Sequence, residues 1–118
     1  MPGSSAAIEA AKGTGPAKVI IEGNRIIKAC PNAHAIHVGD GAVSASVSNN
    51  VIESWDNPAN NESVALVQVS KAKFLDGAPL PIAGDGNVIK APMPVSIAEI
   101  FAVDEGAQVT GTIEWKLP

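Results

Sequence analysis

One cysteine, no tyrosine and only four aromatic rings of Phe and Trp occur in 118 residues. A single thiol excludes an internal disulfide framework. So few rings leave little material for a broad stacking pocket. Basic residues are also scarce, eight against twelve acidic ones for a net charge of −4, and none cluster. Phosphate contacts need local positive charge, so nucleic acid is an unsuitable partner. No apolar run approaches the roughly 18 residues of a membrane helix, and the opening MPGSSAAIEAAKGTG has neither a basic nor an apolar signal region. The expectation is a protein of the cytoplasm or of a virion, not exported by a signal peptide and without a membrane partner.

What is abundant is small and aliphatic. The 46% apolar share against 17% charged is far from the signature of disorder. A chain of this length buries about two thirds of its unfolded surface as one domain. Residues 1–16 are rich in Gly, Ala, Ser and Pro and form an arm that needs a contact to order it; residues 17–118 form a single β domain. Within the arm, Ser5 to Lys12 followed by Gly13 offers at most two helical turns.

From Lys18 onward the pattern is of strands. Lys18–Glu22 and Arg25–Ala29 flank Gly23-Asn24, a loop suited to a type II′ hairpin, which sets Glu22 opposite Arg25 and Ile21 opposite Ile26. His34–Val38 and Gly41–Ser48 flank Gly39-Asp40 in the same way. Serine at every second position from Ser44 to Ser48 marks a strand with one wet face. Val51–Trp55, Ser63–Val69 and Val109–Lys116 read as further strands, and the two prolines of Val88–Pro94 assign that stretch to an edge or extended loop. Val95–Val103 carries a capping box, Ser96 with Glu99, but its surroundings favour a strand leading into the loop Asp104-Glu105-Gly106. The string G-D-G-x-V occurs at 39–43 and again at 84–88 and reads as common turn chemistry. Turn signals about every ten residues predict an all-β chain, a β-sandwich or small barrel built of hairpins with a flexible N-terminal arm.

The chemistry-bearing residues crowd into one stretch. Cys30, His34, His37 and Asp40 are all usable zinc or copper ligands. Strand alternation divides them, with His34 inward beside Ile36 and Val38 and His37 outward, unless a bulge lies between. The polar loop Asp56–Glu62 lacks the spacing of a calcium loop. No nucleophile elbow announces a serine triad, and no catalytic residue or cofactor is assigned.

In size, arm and β content the chain resembles the small decoration or accessory proteins of bacteriophage virions, a likeness of style without a shared motif. It implies a non-enzymatic structural protein that assembles through subunit contacts, as a homo-oligomer such as a trimer and on capsid or tail subunits. Ile8, Trp55 and Trp115 are the interface candidates. The alternative is a soluble metal- or ligand-binding β module using Cys30 to Asp40.

Overall fold

The computed structural model describes residues 6–27, 34–53, 67–90 and 101–116. Eleven strands are present among them and no helix: β1 (Ala6–Ala10), β2 (Ala17–Glu22), β3 (Arg25–Ile27), β4 (His34–Val38), β5 (Ala42–Ser48), β6 (Val51–Glu53), β7 (Val67–Val69), β8 (Leu80–Ile89), β9 (Phe101–Val103), β10 (Val109–Thr110) and β11 (Ile113–Lys116). Every strand pair among the described residues is parallel. The expected antiparallel sandwich or barrel of hairpins is therefore wrong.

The chain instead winds in coils, each laying one strand beside the strand one coil earlier. Parallel neighbours cannot be joined by a tight turn and need a long connection; here the connection is the rest of the coil. One sheet has the order β1-β4-β7-β9. The other rows are β2-β5-β8 and β3-β6-β8, with β10 and β11 completing them against β8. Because β8 spans a corner, pairing β5 at Ile82 and Ala83 and β6 at Val88 and Ile89, the latter rows join into one seven-stranded sheet.

Alternation places aliphatics in columns through the interior. Ile8, Ile36 and Val67 stack in register, as do Val19, Ala45 and Ile82, and Ile26, Ile52 and Ile89. Ile36, Val38, Val47, Ile52, Val67 and Val69 are fully buried. Ser44, Ser46 and Ser48 face outward as the sequence pattern requires. The side-chain faces thus follow the expectation, but the partners do not. β2 and β3 do not pair across Gly23-Asn24, and Arg25 meets Glu53 of the next coil rather than Glu22. β4 and β5 likewise pair with other strands, and Val88 lies between β6 and β11 rather than at an edge. The arm is also revised: Ala6–Ala10 is a strand beside β4, not helix or free tail. The turn at Asp104 forms, with Ala107 N–H donating to the Asp104 carbonyl at 2.9 Å, but β9 and β10 join different rows.

One corner recurs in all four coils. A residue with left-handed φ stands there each time: Gly23 (72°), Asn49 (57°), Gly86 (72°) and Gly111 (85°). In three of them asparagine follows, and these side chains form a ladder. Asn50 Oδ1 accepts from the backbone and side-chain N–H of Asn24, both at 3.0 Å. Its Nδ2 donates to the Ile21 carbonyl and to Asn87 Oδ1, again at 3.0 Å. Asn87 Oδ1 also takes the Asn50 backbone N–H, and its Nδ2 donates to the Val47 and Glu114 carbonyls at 2.8 and 3.1 Å. Both amides, fully buried, satisfy two donor and two acceptor positions. Next to the ladder Gly84 packs on the Val47 carbonyl so closely that a Cβ would collide with it.

The two G-D-G strings have different settings, the first between β4 and β5 and the second inside strand β8, so they do not mark one duplicated hairpin. The capping box at Ser96 and Glu99, the loop Asp56–Glu62 and the first half of the strand expected over Ser63–Val69 lie outside the described residues.

Removing a member of a buried, satisfied network strands its partners at about 1–3 kcal/mol. Asn50→Ala should therefore lower the unfolding free energy by at least that much in urea titration, and Asn24→Ala, at the half-buried end of the ladder, by less. Equal losses would contradict the ladder.

Candidate functional site

The sequence candidates separate in space. Cys30 and Trp55 lie outside the described residues. His34 is buried, and His37, three residues on, has a side chain 13% exposed on the outer face. No bulge lies between them, since β4 runs in unbroken register with β1 from His34 through Ile36 and His37 to Val38. The rings are nevertheless near, 6.5 Å between centroids and tilted by 42°. Asp40 is engaged elsewhere, accepting the Gly13 N–H at 2.9 Å with Lys73 Nζ at 3.9 Å. The Gly13 hydrogen bond, followed by Lys73, holds the Asp40 carboxyl below its usual range. Among the described residues no three His, Cys, Asp or Glu side chains converge as a metal site.

What His37 does instead follows from the parallel register. Glu9 on β1 stands directly beside it, and Gln68 on β7 stands on its other side. Ser70, two residues beyond Gln68, shares that face and lies on the diagonal. The imidazole bridges both: Nδ1 is 3.1 Å from Glu9 Oε2 and Nε2 is 2.8 Å from Ser70 Oγ. A neutral ring protonated at Nδ1 donates to the carboxylate and accepts the serine hydroxyl. Gln68 Nε2 donates to Asp104 Oδ1, which extends the row to the last coil. Lys12 Nζ lies 4.0 Å from Glu9. The hydrogen bond from His37 lowers the Glu9 carboxyl below 4.5, with Lys12 adding to the effect against partial desolvation.

Glu9 and Ser70 escaped the sequence reading because they stand 28 and 33 residues from His37. Only the stacking of coils brings them together, and the signal for it is the asparagine recurring at 24, 50 and 87, each with an isoleucine two residues on. On the neighbouring row Arg25 donates twice to Glu53 Oε2, at 3.0 and 2.6 Å, and this lowers the Glu53 carboxyl. Of the expected interface residues, Ile8 packs on the core in register with Ile36. Trp115 is also partly buried against the core, and its indole N–H is buried with no hydrogen-bond partner among the described residues.

No family model matches the chain, nor does any curated protein or solved structure.

The depressed Glu9 carboxyl contributes stability that is complete above its unfolded value near 4.5 and is lost as the pH falls through the lower folded value. In carbon-detected NMR the Glu9 carboxyl should titrate with a midpoint below 4.5. In His37→Ala the midpoint should move back up, and an unchanged one would dissociate the pair.

Proposed function

We propose that this is a structural protein that works by subunit assembly, adding copies of itself, and through them a larger particle, to the open ends of its coil stack. This keeps the kinship of style with virion decoration proteins and replaces the hairpin edge with the edge of a coil. The observation that carries it is where the exposed aliphatics lie. Ile20 and Ile27, 63% and 53% exposed, both belong to the first coil, and Val103, 40% exposed, belongs to the last.

On that first coil β1, β2 and β3 have a strand neighbour on one side only among the described residues. A parallel stack cannot hide its terminal strands by pairing them with each other, so among the described residues each end presents a strand edge without a neighbour. Strand addition supplies the hydrogen bonds and the exposed isoleucines supply apolar contact. A second copy is the fitting occupant, because its coils carry the same strand lengths, columns and corners.

Beside Lys18 and Ile20 of β2, the outer face of β5 and β8 is lined by the short side chains of Ser44, Ser46, Pro81 and Ala83. Short side chains let a neighbouring backbone approach closely, which suits packing of one subunit against the next.

Sedimentation in dilute buffer should give a mass that is a multiple of the 12.0 kDa chain. The double variant Ile20→Lys, Ile27→Lys should fall to one chain with an unchanged circular dichroism spectrum. A wild-type protein that sediments as one chain at every concentration would overturn the proposal.

A further inference from the structure

The row Glu9, His37, Ser70 starts on the terminal strand β1 but places His37 and Ser70 on the coils behind it, and its order is that of an activated nucleophile. A hydroxyl oxygen lies 2.8 Å from one imidazole nitrogen and a carboxylate oxygen 3.1 Å from the other. That is nucleophile, base and orienting acid in sequence. The carboxylate fixes the tautomer with the proton on Nδ1, which leaves the Nε2 lone pair on the serine hydroxyl. The ring is well packed, its side chain 13% exposed, while Ser70 is half-buried and Glu9 remains open to solvent. The Ser70 backbone is anchored as well, its N–H donating to the Val38 carbonyl at 2.9 Å.

We propose that Ser70 is a base-activated nucleophile that takes acyl groups from small carboxylic esters, with His37 as its catalytic base and Glu9 as the positioning residue. Ser70 Oγ bonds to the ester carbonyl carbon as its proton passes to His37 Nε2. The bond from that carbon to the alcohol oxygen then breaks, and the departing oxygen takes the proton from Nε2. Water repeats the sequence on the acyl-serine, giving its proton to Nε2 and its oxygen to the carbonyl carbon. The net change is ester plus water to acid plus alcohol, and no oxidant or cofactor enters.

The substrate class follows from the setting. The row lies on an outer sheet face, so short acyl groups with a good leaving alcohol fit and long chains gain no enclosure. The Ser70 amide is spent on Val38, so the acceleration expected is that of general-base activation, about 10²- to 10⁴-fold, without the further gain of an oxyanion hole.

The full chain is incubated with p-nitrophenyl acetate and the acetylated residue is located by peptide mass spectrometry. The expected result is an acetyl group on Ser70, absent in Ser70→Ala, with acylation of Ser70 slowed about 10²- to 10⁴-fold in His37→Gln. Glu9→Gln should slow it less and move the midpoint of the pH–rate profile, a change that a merely structural Glu9 would not cause. Acetyl groups on lysine or histidine instead of Ser70, or an unchanged Ser70 rate in His37→Gln, would overturn the proposal. Should His37→Gln lose its circular dichroism spectrum, the wild type decides alone: a fluorophosphonate probe must modify Ser70 and no other serine. Neither result depends on whether the protein assembles.

Discussion

The structure depends on keeping successive coils in one register, and the interaction that enforces it is the asparagine ladder through positions 24, 50 and 87. A parallel sheet gains backbone hydrogen bonds in any of several registers, and aliphatic columns discriminate only weakly among Val, Ile and Ala. A slip of one residue reverses every side chain. A buried amide with two donors and two acceptors fits one alignment, because any other leaves polar atoms stranded in the interior. Asn50 and Asn87 are at most 1% exposed and fully partnered. The left-handed residue before each of them turns the chain so that its amide points inward. In the fourth coil Thr112 follows Gly111, and the ladder ends on the Glu114 carbonyl.

From that register the outer surface follows. Glu9, His37 and Gln68 stand side by side because their strands are locked together on the inside. The pairing of Arg25 with Glu53 has the same origin. Assembly and acyl chemistry, the two proposed activities, use different side chains of this surface and meet at β1, which carries Glu9. The first uses the terminal coils with Ile20 and Ile27, the second the outward row built on β1, β4 and the end of β7.

Much of the local structure was legible in the sequence and most of the topology was not, for one physical reason. Alternation is a property of a single strand, so Ser44, Ser46 and Ser48 could be placed outside, and His34 inside, without knowing any partner. Gly23-Asn24 and Gly39-Asp40 do interrupt the chain between strands, but not as the expected hairpin loops, since the strands on either side of each pair with other partners. A two-residue turn that suits a hairpin serves equally to carry a chain around the corner of a coil, and nothing at the turn itself reports which strand comes to lie alongside. The distinguishing signal was long-range: Asn-Arg-Ile-Ile, Asn-Val-Ile-Glu and Asn-Val-Ile-Lys at 24, 50 and 87. The more conspicuous string G-D-G-x-V recurs at two unlike places and does not follow the coils. The Glu9, His37 and Ser70 row leaves no local trace for the same reason, since its members are 28 and 33 residues apart and meet only when the coils stack.

The most direct test of parallel stacking is a pair of disulfide traps in a Cys30→Ser background. In the coil stack Ile20 lies beside Ser46 on the outer face, close to the roughly 4.4–6.8 Å Cα separation a disulfide accepts. In a hairpin turned at Gly23-Asn24, Ile20 would lie opposite Ile27 instead. Mild oxidation should close Ile20→Cys with Ser46→Cys within one chain and leave Ile20→Cys with Ile27→Cys reduced within the chain. The opposite pattern would contradict the account.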